Sequence, residues 1–338
     1  MPGFLTHYIG GQSVLDAAGS KISGYIAPAG KLYNLGTQGP DIFFYYIPGF
    51  ITARIRGVGT QMHESDLGRY FMYMGDFIKN SKSPAQRQIL FAYTAGFLVH
   101  YAVDVHTHGY VYGRTHYPPT PKIEESTRHR HFETSVDVLM LDRMYGRRPC
   151  DYIQWQLISP EKLRLRVAAS AMSDAIREIY NRDIGPIDVY RAMGQMAAFT
   201  RLLQSGSGRR KRWLGCAEDL TVRSRNISAL IHMQEVTDGC DYLNMKKLPW
   251  HAPWAPDETR TESFVELFES ATADAAGMIQ ALYDYMHNKL QREELANIIT
   301  NRSLKTGLAV PLSRNCSPMQ PGQHSQTPDA GAAPAQDS

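Results

Sequence analysis

The chain has 338 residues, with 36 lysines and arginines against 33 aspartates and glutamates, and 43% of its residues are hydrophobic. This length can bury a substantial core in one large domain or in two ordinary ones. The formal net charge of +3 at pH 7 is too close to neutral to indicate a specific nucleic-acid partner. With 27 glycines and 19 prolines, the chain is neither collagen-like nor disordered over most of its length.

The four cysteines are widely spaced and form no CxxC pair. This distribution gives neither a disulfide framework nor a thiolate zinc site, and it is typical of a reducing compartment. The first residues, MPGFLTHYIGG, lack the basic flank and the apolar run of about 7–15 residues that a secretory signal has. We therefore expect a cytoplasmic protein.

Helical periodicity dominates the chain, and no internal repeat is visible. Apolar residues spaced along one helix face predict helices over residues 64–80 and 85–106. The second is very apolar, but its apolar run is short for a membrane span and contains His100 and Asp104, so we interpret it as a core helix. Similar patterns predict further helices over residues 126–145, 160–182, 186–204 and 261–299.

Four segments outside these helices have the composition of loops or tails. Residues 117–122 (YPPTPK) are predicted to form a loop, because proline fixes φ and lacks an amide donor. Residues 205–213 are interpreted as a flexible basic loop, and residues 248–257 as a rigid connection rich in proline and tryptophan. Residues 313–338 are rich in Ser, Pro, Gln, Gly and Ala, which predicts a disordered tail. The sequence thus predicts an all-α fold, with one helical domain over residues 1–312.

Six of the 12 histidines lie between residues 100 and 131. Among these, His100 and His108 flank Asp104 at four-residue spacing, so a helix would place all three side chains on one face. The neighbouring residues are apolar, and a buried carboxylate is costly unless its charge is compensated. A divalent cation bound to the three side chains would compensate it. The alternative is a hydrogen-bonded His–Asp pair in the core, with His108 at the fraying end of the helix.

The next predicted helix repeats the four-residue spacing with His129 and Glu133, and Asp137 continues that face as a candidate support for the ligands. The alternative is a solvated helix surface. Upstream, Asp41 follows a Gly-Pro turn and precedes an aromatic run, where an N-cap is the simpler interpretation. His63 is predicted to open a helix, and His7 is uninformative by itself.

Together these segments resemble the zinc-dependent phospholipase C family, within a wider group of all-helical zinc phosphodiesterases of the phospholipase C/D type. The resemblance extends over roughly residues 1–300. Its motifs are THY with His7, GTQGPD with Asp41, His63, HYxxDxxxH with His100, Asp104 and His108, and HxxxE with His129 and Glu133.

The resemblance implies a set of ligands for two to three zinc ions. By this resemblance, Asp41, His63, His100 and Asp104 would bind one ion, His108, His129 and Glu133 a second, and His7 and Asp104 a third, together with the N-terminal amine and carbonyl. Asp104 would bridge two ions. Secreted family members use a mature N-terminal Trp as a ligand, whereas this chain begins with Met1 and Pro2.

The resemblance also implies the chemistry, in which a metal-activated water attacks a phosphodiester. Asp41, as general base or only as ligand, and Asp104 are the candidate catalytic residues. The expected substrate is a phospholipid or a small phosphodiester, with transient contact to a membrane surface. One alternative is a single-strand-specific zinc nuclease, which the near-neutral charge disfavours because a nuclease groove needs basic and stacking residues. Another is a metal-stabilised binding module without turnover.

Overall fold

The computed structural model describes residues 3–46, 52–116, 122–204, 209–221 and 227–311. Its regular structure is dominated by helices, which confirms the predicted all-α class. The α-helices are α1 (Phe4–Ala17), α2 (Gly19–Ile26), α3 (Gly30–Gly36), α4 (Thr52–Glu64), α5 (Leu67–Asn80), α6 (Pro84–Thr115), α7 (Lys122–Tyr145), α8 (Gln154–Leu157), α9 (Lys162–Tyr180), α10 (Pro186–Leu203), α11 (Arg209–Thr221), α12 (Phe264–Met286) and α13 (Arg292–Ile299). Short 3₁₀ helices cover Ala27–Ala29, Gly39–Phe43, Pro149–Asp151 and Ser228–Leu230.

Helix α6 is the centre of the fold, with α1, α3, α5, α7, α9 and α12 packed around it. It begins at Pro84, where the Ser83 hydroxyl accepts a hydrogen bond from the amide of Gln86. Within the described ranges, α6 is the only helix long and apolar enough to span a membrane. However, 83% of its most apolar window is buried inside the protein, as the sequence predicted for a core helix.

Helices α3 and α6 approach each other backbone to backbone through two glycines. A Cβ added to Gly36 would collide with the carbonyl oxygen of Tyr93, and one added to Gly96 would collide with the carbonyl oxygen of Tyr33. Any larger residue at either position would therefore separate the two helices. This close approach brings the segment that follows α3 against the middle of α6.

That segment is the 3₁₀ turn Gly39–Phe43, which contains Asp41. The turn begins at a positive φ of 50° at Gly39, and a Cβ there would collide with the imidazole ring of His100. Asp41 lies inside the turn and does not cap an α-helix. The glycine thus allows the Asp41 carboxylate to lie beside the face of α6 that carries His100.

The predicted helix over residues 261–299 is two helices in the structure. Helix α12 begins with a capping box between Ser263 and Glu266, and it ends at Met286. Asn288 then adopts a left-handed conformation, with φ of 59°, which an α-helix does not tolerate. The chain restarts as α13, whose own capping box is formed by Gln291 and Glu294.

Several other boundaries differ from the prediction. The supposed rigid connection over residues 248–257 includes strand β1 (Trp250–Ala252) and the start of its antiparallel partner β2 (Ala255–Arg260). Residues 209–213 of the supposed basic loop belong to α11, and His63 lies in the last turn of α4 instead of opening a helix. Residues 117–121, 205–208 and the predicted tail at 313–338 lie outside the described residues.

Candidate metal centre

Eight side chains singled out from the sequence converge on one region between α1, α4, α6 and α7. Each has a buried or nearly buried side chain. They are His7 on α1, Asp41 on the 3₁₀ turn, His63 at the end of α4, His100, Asp104 and His108 on α6, and His129 and Glu133 on α7.

Asp104 is at the middle of this group and is completely buried. Its Oδ1 lies 3.3 Å from Nε2 of His7 and 3.8 Å from Nε2 of His108, while its Oδ2 lies 3.2 Å from Nε2 of His100. None of these contacts has the geometry of a hydrogen bond, so both carboxylate oxygens and all three ring nitrogens lack a hydrogen-bond partner. Oδ1 therefore faces His7 and His108, while Oδ2 faces His100, whose ring stacks on that of His7 with 4.2 Å between the centroids.

Two further pairs lie on either side of Asp104. Nε2 of His63 is 3.2 Å from Oδ1 of Asp41, and Nε2 of His129 is 2.7 Å from Oε1 of Glu133. The ligand atoms fall into three groups, and within each group all atoms lie within 4.8 Å of one another. The groups are His7, Asp41 and His100; His63, His100 and Asp104; and His108, His129 and Glu133.

Four of these histidines are oriented by a hydrogen bond at the other ring nitrogen. In each case Nδ1 faces an oxygen acceptor, so a neutral ring carries its proton on Nδ1 and leaves Nε2 with a lone pair that points into the cluster. The acceptors are the carbonyl oxygens of Gly59 for His63 (2.6 Å), Thr37 for His100 (3.2 Å) and Leu304 for His108, and the hydroxyl oxygen of Thr115 for His129 (3.2 Å).

The charges inside the cluster are those that metal binding requires. Burial alone would raise the pKa of Asp104, but His108 and His100 overcome this effect and hold the pKa well below its usual range. Burial would also raise the pKa of Glu133, yet His129 helps to hold it at about 2. Both carboxylates are therefore ionised at neutral pH.

The cluster fits a divalent cation such as zinc. Buried polar atoms without hydrogen-bond partners are rare in folded proteins, and here five side chains of one cluster carry such atoms. A divalent cation would replace the imidazole protons as the positive charge that compensates the buried carboxylates. Imidazole nitrogens together with carboxylate oxygens are ligands that zinc accepts. The donor set therefore matches the ion that the sequence resemblance implies.

Asp137 holds the helix that carries His7. Its completely buried carboxylate accepts hydrogen bonds from the amides of Leu5 (3.0 Å) and Thr6 (2.8 Å) at the start of α1, and from the Thr6 hydroxyl (2.6 Å). Nε2 of His232 donates a fourth bond, at 2.6 Å. The sequence indicated Asp137 as a support, but it gave no sign of His232, which is distant in the chain and belongs to no motif.

The remaining histidines of the dense region lie outside the cluster. Nε2 of His106 hydrogen-bonds the carboxylate of Asp274 at 3.0 Å, and Nδ1 of His116 bonds Glu125 at 2.9 Å. On α7, the ring of His131 packs against the ring of Tyr242 instead of joining His129 and Glu133. Helix geometry turns His106 and His131 away from the candidate ligands, because each lies two residues from one of them on its helix. His116 lies one residue beyond the end of α6.

Comparison with protein families gives one match. The family model described as zinc dependent phospholipase C matches residues 11–183, about half of the chain. This range contains every candidate ligand except His7. Neither the curated proteins nor the solved structures give a match.

Proposed function

We propose that this chain, which belongs to the zinc-dependent phospholipase C family, is a phosphodiester hydrolase that uses two to three zinc ions to cleave a phospholipid or a related small diester. The observation that carries the proposal is the convergence of buried, unpartnered nitrogen and oxygen atoms in one cluster. A core that was only structural would pair these atoms with one another or with the backbone.

The proposed ligand sets follow the family resemblance, and they overlap the three groups of atoms without matching them in full. Asp41, His63, His100 and Asp104 would hold one ion, His108, His129 and Glu133 a second, and His7 and Asp104 a third. The position of Asp104 supports its role as a bridge, since its Oδ1 faces His7 and His108 while its Oδ2 faces His100. His7 also lies close to Asp41 and His100, so the ligands proposed for the first and third ions would lie next to each other.

When bound, zinc supplies a water of lowered pKa and neutralises the charge of the phosphoryl oxygens. The protein would contribute the orientation of its ligands, since the Nδ1 bonds leave each Nε2 aimed into the cluster. Asp41 would accept the proton of the attacking water as general base. Its carboxylate is only 7% exposed, and the 3₁₀ turn fixes its position.

An exposed aromatic ring beside the centre supports a lipid or ester substrate. Phe44 is 37% exposed, and its ring centroid lies 5.3 Å from that of His63. An apolar surface next to charged ligands would suit a diester that combines a phosphate with an apolar part. Transient contact with a membrane surface is part of the same proposal.

The test is an assay of purified protein with measured zinc content on three substrates: phosphatidylcholine vesicles, a chromogenic phosphocholine ester and single-stranded DNA. We expect zinc-dependent hydrolysis of at least one of the first two. Cleavage of single-stranded DNA alone would instead indicate a nuclease. Full zinc occupancy without hydrolysis of any substrate would indicate a binding module, and either result would refute the proposal.

A further inference from the structure

Residues 301–310 form a tight turn after α13, which we call the C-terminal turn. Asn301 closes its two ends, because its carbonyl oxygen accepts from the amide of Val310 and its side-chain amide donates to the carbonyl oxygen of Val310, both at 2.9 Å. Inside the turn, the amide of Ser303 donates to the carbonyl oxygen of Leu308 at 2.9 Å. The turn lies outside residues 11–183, the range that defines the family match.

The C-terminal turn touches two candidate ligands through one residue, Leu304. The amide of Leu304 donates to the carbonyl oxygen of His63 at 2.9 Å, and its own carbonyl oxygen accepts from Nδ1 of His108. The Ser303 hydroxyl (3.1 Å) and the amide of Lys305 (3.4 Å) also donate to the His63 carbonyl. A single buried residue therefore joins the end of α4 to the imidazole on α6 that would hold the second ion.

Close packing against α5 and α6 fixes the position of the turn. Gly307 has a φ of 69°, and a Cβ there would collide with the carbonyl oxygen of Val105 on α6. The amide of Arg302 donates to the Tyr101 hydroxyl at 3.0 Å. On the α5 side, the amide of Gly68 donates to Oδ1 of Asn301 at 2.9 Å. The turn thus contacts both helices directly, and Gly307 is the position where one added carbon would lift it from α6.

We infer that the C-terminal turn is an outer support of the metal centre and that Leu304 is a positioning residue for His108. A neutral imidazole carries one proton, and the Leu304 carbonyl holds that proton on Nδ1, which leaves the Nε2 lone pair for a metal ion. Without this acceptor, the ring of His108 would populate both tautomers and other orientations. The inference rests on the proposed metal centre, but it concerns how this chain orients a ligand.

The experiment uses the full chain and the variant Gly307→Ala, with Ser303→Ala as a milder second variant. Zinc affinity is measured by competition with a chromogenic chelator. We expect Gly307→Ala to weaken the binding of one ion about 10–100-fold, the usual effect of losing an outer partner of a metal-bound histidine. Ser303→Ala removes one donor to the His63 carbonyl and an acceptor of the Lys305 amide but leaves both bonds of Leu304, so it should have a smaller effect in the same direction. In zinc-free protein, ¹⁵N-histidine NMR should show the Nδ1–H form of His108 in the wild type and a mixture of tautomers in Gly307→Ala.

Leu295→Ala is the matched control, because Leu295 is fully buried in α13, outside the C-terminal turn, and forms none of the hydrogen bonds from the turn to His63 and His108. It should lower stability without changing the tautomer of His108 or the affinity for zinc. Equal loss of affinity in Leu295→Ala and Gly307→Ala would overturn the inference, since general destabilisation would then explain both. If the wild type binds zinc and Gly307→Ala binds it equally well, only this inference fails. If the wild type binds no zinc, the proposed function fails with it.

Discussion

The substitution Asp104→Asn is the sharpest test of the metal centre. Asp104 is completely buried, and three imidazole nitrogens lie 3.2 to 3.8 Å from its carboxylate oxygens. Asparagine has almost the same volume, but it removes the charge and replaces one acceptor oxygen by a donor. Because a neutral amide is cheaper to bury than an unpaired carboxylate, we expect the variant to fold.

The size of the effect follows from mass action. An ion that binds only the folded state, present at 100 times its Kd, stabilises that state by about 2.7 kcal/mol. If Asp104 contacts two ions, the variant should lose about 5 kcal/mol of zinc-dependent stabilisation. This quantity is the difference between the free energies of unfolding with zinc and with chelator, both measured for the same variant. Any change in the stability of the zinc-free fold therefore cancels.

The assay is urea unfolding at a buffered free zinc concentration and again in excess chelator, together with hydrolysis of the chromogenic ester. Turnover should fall at least about 10²–10³-fold, as when one group that stabilises the transition state is lost. Asp76→Asn is the matched control, because Asp76 bonds Tyr285 and Arg292, away from the cluster. The reasoning is refuted if Asp104→Asn keeps both its zinc-dependent stabilisation and its turnover.

Four further outcomes are expected. Plasma emission on protein purified without added metal should show two to three zinc ions per chain, and strong chelation should lower the melting temperature. A zinc content below one per chain that added zinc does not raise would contradict the proposal. Thr115→Val removes the acceptor of Nδ1 of His129, and chelator competition should show zinc affinity reduced about 10–100-fold. Burial would raise the pKa of Glu133, but His129 helps to hold it at about 2, below its ordinary value of 4.5. The folded state therefore binds the proton less readily than the unfolded state. Zinc-free protein should lose about 3 kcal/mol of stability as the pH falls from 4.5 towards 2. Urea titrations of Glu133→Gln should show a flatter pH dependence in this window. Asp137→Asn breaks a buried hydrogen-bonded carboxylate and should lower the free energy of unfolding by about 3–5 kcal/mol, whereas a loss below about 1 kcal/mol would show that the bonds to α1 contribute little.

The shared faces of the candidate ligands on α6 and α7 could be predicted from the sequence because their arrangement is local. Four-residue spacing on a helix places His100, Asp104 and His108 on one face whatever the rest of the chain does, and the same holds for His129 and Glu133. The apolar neighbours of the first three also predicted their burial, which the structure bears out. Which ion each side chain would bind was implied only by the family resemblance, and it stays a proposal.

The boundaries that were mispredicted depend on backbone conformations with weak sequence signals. The break between α12 and α13 rests on a left-handed Asn288, and a single asparagine inside a helical pattern does not announce it. The β1–β2 hairpin consists of short strands that contain prolines and carry no clear alternation. Helix α11 is so polar that its sequence resembles a loop, but contacts such as that of Lys211 with the Ile231 carbonyl hold it against the rest of the protein.

By itself, the sequence determined the helical class, the apolar core helix and the faces of α6 and α7 that carry the candidate ligands. The resemblance implied that Asp41 and His100 share an ion, but only the tertiary structure shows how they come together, through the close approach of α3 to α6. It also supplied the supports from His232 and the Leu304 carbonyl. A spacing pattern records only neighbours within a few turns, whereas these contacts join residues far apart in the chain. A backbone carbonyl, moreover, is the same in every residue, so no sequence motif can mark the one that orients a histidine.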